Sequence, residues 1–412
     1  MELAQRMHQL GTESAFEVLA RAKKLEAQGR SVVNLGIGAP DFPTPEHIVE
    51  AGCKALRDGW HSYTEAKGIR ELREAVAEDV ELRRRVKIDP DQVLIVPGGK
   101  PTLFFAILMF GEPGAEILYP NPGFPIYESM IRCSGATPVP IPLQEARGFE
   151  FDPDEVLAKL NERTRLIVVN TPANPTGGCI SRAALARLAQ GLERFPKVAI
   201  LADEIYARLV YAPAEHCSLL DFEGIRDRVI LLDGWSKTFA MTGWRLGYGV
   251  WPKSLIEHAE RLQINSNSCA SAPVQRAGIA ALRGPQEPVE RMVRAFDERR
   301  TAIVDGLNEL PGVSCVTPQG AFYAFPNITG TGFRSKELQN KLLLDAGVAT
   351  VAGTAFGAFG EGYLRFSYAN SLEKIGEALA RVRTVLESER ALAAEPKAAL
   401  PKTGVRRTRA RR

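Results

Sequence analysis

The stretch Asp233-Gly-Trp-Ser-Lys-Thr-Phe-Ala-Met-Thr-Gly-Trp-Arg-Leu-Gly-Tyr248 decides how this chain is read. A short apolar run at residues 229–232 leads into it and another at 246–250 closes it. Lys237 stands among Trp, Phe, Met and Trp and is the only lysine between Lys197 and Lys253. A lysine among apolar side chains loses solvation, which lowers its pKa and leaves a neutral amine able to form a Schiff base. Arg245, two residues beyond Gly243, supplies a fixed cation suited to a phosphate. On residue types alone, a strand-end lysine and a surface arginine explain the same letters. The neighbourhood has to decide.

Outward from that stretch, further apolar runs lie at residues 93–96, 116–119, 166–170 and 198–202, with amphipathic segments at 102–110, 124–133 and 181–193 between them. Short β-rich runs separated by helices predict βαβ units, hence a mainly parallel sheet with helices on both faces. Functional residues then belong in loops at the carboxyl ends of strands. Asp203 follows the run 198–202, and Asn170-Thr-Pro-Ala-Asn-Pro-Thr-Gly177 follows 166–170. Pro97-Gly-Gly-Lys-Pro101 closes the run 93–96 and opens a helix, exposing backbone N–H groups to a phosphate. Pro122-Gly-Phe-Pro-Ile-Tyr127 brings an aromatic to a fourth such turn.

The two ends read differently. A helix over 15–28 stops at Gly29, and Thr44-Pro45 reads as N-cap and first helical residue of a helix to about residue 57. A long helix over 285–310 leads to β-like runs at 313–316 and 322–325. A helix at 335–345, a strand at 364–367 and a final helix at 371–388 follow. The expected division is a large domain over 46–284 and a smaller, discontinuous α+β domain from 1–45 with 285–390. Residues 391–412, rich in Ala, Pro, Lys and Arg, form a tail without expected structure.

The chain has 412 residues and a formal net charge of +3. Seven Lys and Arg, with no acid, lie in 396–412, and setting them aside leaves the rest at −4. The surplus is a tail, so nucleic acid is not the expected partner of the body. Acidic and basic residues interrupt the start of the chain, no apolar run is long enough to span a membrane, and the six cysteines form no C-x-x-C pair. A cytoplasmic protein with reduced thiols is expected. Several familiar sites fail on inspection. Leu35-Gly-Ile-Gly38 lacks the continuation of a dinucleotide fingerprint, and Gly98-Gly-Lys100 lacks the earlier glycine of a P-loop. The five histidines have no metal-ligand spacing, and Gly234-Trp-Ser-Lys-Thr238 lacks the second glycine of a nucleophile elbow. No metal is expected.

These motifs, in this order, resemble the fold-type I, pyridoxal-phosphate-dependent aminotransferases of class I/II, in the aspartate-aminotransferase-like branch. The resemblance also includes Gly38-Ala-Pro-Asp-Phe-Pro-Thr-Pro45 and Tyr63-Thr-Glu-Ala-Lys-Gly68, and it runs to about residue 388. It implies an α/β fold with a seven-stranded, mainly parallel sheet in the large domain. It also implies pyridoxal 5′-phosphate held by Lys237 as a Schiff base, Lys237 then carrying the proton between the α-carbon and the cofactor. Asp203 pairs with the pyridine nitrogen, while Tyr206 and Asn174 bond the ring 3′-oxygen. Phe124 covers the ring, and Gly99, Lys100 and Arg245 hold the phosphate. Arg365 grips the substrate α-carboxylate beside Gly38, with Phe124 and Asn174 also at the substrate. Tyr63 reaches the phosphate in a neighbouring subunit, which implies a homodimer with shared sites.

The sequence departs from the pattern in two places. Gly234 stands where many members place a serine in the phosphate cup. Ser14-Ala15-Phe16 lacks the second hydroxyl that aspartate-type relatives use beside the residue matching Lys100, which there attracts a distal carboxylate. The expected reaction is transamination between an L-α-amino acid and a 2-oxo acid, with 2-oxoglutarate/glutamate as one pair and aspartate or alanine as donor. The alternatives are a carbon–sulfur β-lyase on the same scaffold and a regulatory or nucleic-acid-binding protein using the basic tail.

Overall fold

The computed structural model describes residues 1–394. Its centre is a seven-stranded sheet: β1 Val93–Val96, β2 Glu116–Asn121, β3 Thr137–Pro142, β4 Thr164–Asn170, β5 Ala199–Asp203, β6 Val229–Gly234 and β7 Gly247–Val250. The spatial order is β1-β7-β6-β5-β4-β2-β3, and β7 alone runs antiparallel to its neighbours. Alternation along each strand divides the packing. Val93 and Ile95 enter one core while Leu94 and Val96 enter the other, and Ile200 and Leu201 part in the same way. Helices cover both faces, so the strands read as continuous apolar runs.

Strand β3 was not among the apolar runs, and its prolines explain why. Pro138, Pro140 and Pro142 recur at the strand period, so all three missing N–H groups lie on one side. The other residues turn their N–H groups toward β2, as Thr137 N does to Ala115 O at 2.8 Å. Prolines with that spacing fit an edge strand and block further pairing.

A second apolar core gathers Phe296, Phe322, Leu342, Phe366, Ile375 and Val382 around a three-stranded antiparallel sheet of Val351–Ala352, Leu364–Ser367 and Tyr323–Ala324. The amino-terminal strand Val33–Asn34 joins this region by pairing parallel with Val348–Ala349. Three expectations need correction here. The run 313–316 forms no strand, only an isolated bridge from Ser314 to Asn327. The last helix is Leu372–Ala394, so residues 391–394 of the expected tail are helical; residues 395–412 lie outside the described residues. The helix Glu46–Arg57 takes Pro45 as its N-cap. Thr44 instead donates to Ala240 O at 2.8 Å and accepts from Trp244 Nε1 at 3.0 Å, tying the amino-terminal segment to the lysine loop. No helix among the described residues is long and apolar enough to cross a membrane.

Candidate active site

The carboxyl ends of β1, β4, β5 and β6 open on one edge of the sheet, and β7 starts there, so its preceding loop brings Arg245 back to the same edge. A cavity of about 570 Å³ lies over that edge, within the range of small-molecule sites. Among its lining residues are Gly38, Gly99, Lys100, Phe124, Asn174, Asp203, Tyr206, Lys237, Arg245 and Arg365. Ten of the eleven residues expected at the site thus meet around one space. Tyr63 does not: it is 87% exposed and lies in a separate surface depression with Trp60 and Arg70.

Lys237 stands in a single helical turn, Trp235–Thr238, directly after β6. Its Nζ donates to Gly38 O at 2.5 Å and lies 5.9 and 5.8 Å from the ring centres of Tyr206 and Phe322. Burial, and then the Arg365 guanidinium, push the amine down to about 8. The neutral form is therefore accessible near physiological pH. Asp203 ends β5 and is 6% exposed; burial raises its carboxyl to about 6, against a hydrogen bond from Tyr127 at 2.5 Å. A further bond comes from Ile205 N at 3.3 Å.

The turn after β4 builds the next layer. Asn170 Nδ2 donates to Asp203 O at 3.0 Å, and its Oδ1 accepts from Asn174 N at 3.0 Å. Asn174 Oδ1 in turn accepts from Arg365 Nη1 at 2.9 Å, and Arg365 Nη2 donates to Gly36 O at 2.6 Å. Arg365 is 3% exposed, sandwiched by Tyr323 and Phe356 at 4.5 and 4.8 Å from their ring centres. Among the described residues its buried Nε has no partner. A buried guanidinium with a spare donor is suited to an arriving carboxylate.

Two glycines are required by contacts. Gly98 has φ of +79°, and a Cβ there would collide with the Arg245 guanidinium, which therefore packs on the loop opening the helix Lys100–Phe110. A Cβ on Gly38 would collide with the Tyr323 hydroxyl. That hydroxyl is 2.7 Å from the Tyr206 hydroxyl. Behind the site, buried Arg84 bonds Glu204 at 2.9 Å and Asp233 at 3.1 Å, bracing the ends of β5 and β6 against each other. Burial would raise Glu204, but Arg84 and His216 outweigh it and hold the carboxyl down at about 2.

These residues fit pyridoxal phosphate. A side-chain-free loop at a helix start with a guanidinium beside it suits the phosphate, and a depressed lysine suits the carbonyl. A buried carboxylate suits a ring nitrogen. The profile of the family "Aminotransferase class I and II" matches residues 30–382. The chain belongs to the class I and II aminotransferases. It is a pyridoxal-phosphate-dependent enzyme of fold type I, in the aspartate-aminotransferase branch. An aspartate aminotransferase of Pyrococcus horikoshii is 40% identical over 94% of this chain and 98% of its own. An aromatic-amino-acid aminotransferase of Thermococcus litoralis is 36% identical over 95% and 100%. An alanine aminotransferase structure from Pyrococcus furiosus superposes with a TM-score of 0.88 at 34% identity, covering 94% and 100%. The names of these relatives differ in the side chain handled, not in the reaction.

Tyr127, Tyr323 and Ser236 were missed in the sequence. All three line the cavity. The signal that could have found Ser236 is its place directly before Lys237. Tyr127 stands at the end of the turn 122–127, and nothing local marks its bond to Asp203.

Proposed function

We propose that this aminotransferase exchanges the amino group of alanine or aspartate with a 2-oxo acid, using 2-oxoglutarate and glutamate as the second pair. The observation that carries the reading is the convergence on one cavity of an amine near 8, a buried carboxyl and two guanidinium groups. When bound, pyridoxal phosphate supplies a conjugated ring that accepts the electron pair left as the α-proton departs. Lys237 would take up and hand on the proton of the substrate α-carbon, which needs an amine neutral at working pH. Asp203, oriented by Tyr127, keeps a proton on the ring nitrogen. Gly99 and Lys100 N–H groups, with Arg245, hold the phosphate. Tyr206 and Asn174 bond the ring oxygen, and Phe124 covers the ring. Arg365, aligned by Asn174 and Gly36, grips the α-carboxylate, and Gly38 leaves that carboxylate room.

We assign Tyr63 to the phosphate in a neighbouring subunit, supported by its exposure and its distance from its own cavity, and hence a homodimer with shared sites. The division into a large domain over 46–284 and a smaller one of 1–45 with 285–390 is supported by the second core, which draws mostly on residues 292–386 together with Val33 and Leu35. Six unpaired cysteines favour the cytoplasm as the compartment. The test is a half-reaction. With alanine or aspartate alone, the visible band should be lost with one equivalent of 2-oxo acid, and turnover should continue only when an acceptor is added. Continuous ammonia release from a cysteine conjugate without acceptor would instead establish β-elimination.

A further inference from the structure

Glu13 is a charged side chain in the cavity with no task in the reaction. Glu13 occupies the N-cap position before the helix Ser14–Ala27, yet its side chain caps nothing. Its carboxylate pairs instead with the ammonium of Lys100, 87 residues away in sequence. The segment is tethered: Gly11 N donates to Ser129 Oγ at 2.8 Å, on the helix Ile126–Ser134 that follows Phe124. Glu13, Phe16, Lys100 and Phe124 all line the cavity, with Lys100 Nζ 5.6 Å from the Phe124 ring centre. The Glu13 charge is felt at the centre as well, where it raises both Lys237 and Arg365 against the downward pull of burial.

A bare ammonium at this position would attract the distal carboxylate of a dicarboxylic substrate and would be a poor neighbour for an apolar side chain. Once Glu13 is paired with it, that stretch of wall carries no net charge. A dicarboxylate must then separate an existing pair to reach Lys100, and must rest beside the Glu13 carboxylate. An uncharged side chain meets the pair as it stands, with the exposed Phe16 ring alongside. We propose that Glu13 is a specificity-determining residue that, by pairing with Lys100, tilts the donor preference toward amino acids with uncharged side chains and away from aspartate and glutamate. This rests on the aminotransferase reading above. The bias is bounded, because the Lys100 side chain is 45% exposed and that of Glu13 16%. A partly exposed pair can be opened, so 2-oxoglutarate is still admitted as acceptor.

The experiment uses the loaded enzyme and its Glu13→Gln, Lys100→Ala and doubly substituted forms. Binding of succinate is measured by calorimetry, and single-turnover half-reactions are run with alanine and aspartate. Glu13→Gln should tighten succinate about fivefold and raise the aspartate-to-alanine ratio of kcat/KM by a similar factor, the size that a partly exposed ion pair carries. In the Lys100→Ala background the same change should have no effect on either. Succinate affinity within twofold of the parent, or an equal gain without Lys100, would overturn the role of Glu13 while leaving transamination standing. Absence of both half-reactions in the parent would overturn the aminotransferase reading and this one with it.

Discussion

The floor of the cavity and its mouth are built by opposite means. The floor comes from strand ends and short turns of the large sheet, with Arg365 added from the three-stranded sheet. Asp203 and Arg365 are buried there, each held by partners that are themselves held. The mouth comes from the amino-terminal segment and one helix start, with Phe16 59% exposed and a single ion pair between them. Rigid, desolvated groups fix a reaction, because electrostatic effects are large where water is excluded and nothing has to reorganise. Exposed groups carry smaller energies and tune which side chain enters. The floor therefore sets the chemistry and the mouth sets the choice. Relatives that share this fold carry different substrate names, as that division leads one to expect.

Several changes would break or sharpen the contrast. Lys237→Ala should retain cofactor binding but lower single-turnover rates by about 10³-fold or more, measured as loss of the visible change with alanine. Asp203→Asn should cost roughly 10²–10³-fold in the same assay, since it removes a buried charge that acts in the transition state. Arg365→Lys should lower kcat/KM by about ten- to a hundredfold for every amino acid alike, because a point charge replaces two fixed donors. At the mouth, Phe16→Ser should shift the aspartate-to-alanine ratio by only about twofold. A mouth substitution as damaging as Asp203→Asn would end the distinction.

The pH dependence belongs to the floor. The Lys237 amine falls from 10.5 to about 8 in the folded chain. Uptake of pyridoxal phosphate by cofactor-free protein should therefore accelerate as pH rises toward about 8 and level off above it. Between about 8 and 10.5 the unfolded chain binds more protons at this site, so cofactor-free protein should gain stability with rising pH. Thermal melts compared with Lys237→Met, which has no such group, isolate that slope.

Much of the floor was legible in the sequence because its parts follow strands. Apolar runs marked five of the six parallel strands and antiparallel β7, and the polar residues just after them meet around one cavity. What was hidden needed three dimensions. Tyr127 meets Asp203 across 76 residues and Tyr206 meets Tyr323 across 117, and no local pattern announces either pair. Edge strand β3 was hidden for a different reason: its three prolines break the apolar pattern by which the other strands were recognised. Thr44 looked like a helix cap because residue type suggests one, and a tertiary contact with Ala240 won instead. At the mouth, Phe16 was visible as a departure and Lys100 as a match, but Glu13 was not, since an acid before a helix has an ordinary explanation.

The central claim is that Lys237 is the amine that engages the cofactor. Borohydride reduction of the loaded enzyme, followed by peptide mapping, tests it most directly. One equivalent of reduced pyridoxyl label should be found on the peptide carrying Lys237, with the yellow colour discharged. Label on Lys100 or any other lysine, or a protein that takes up no cofactor to reduce, would contradict the account.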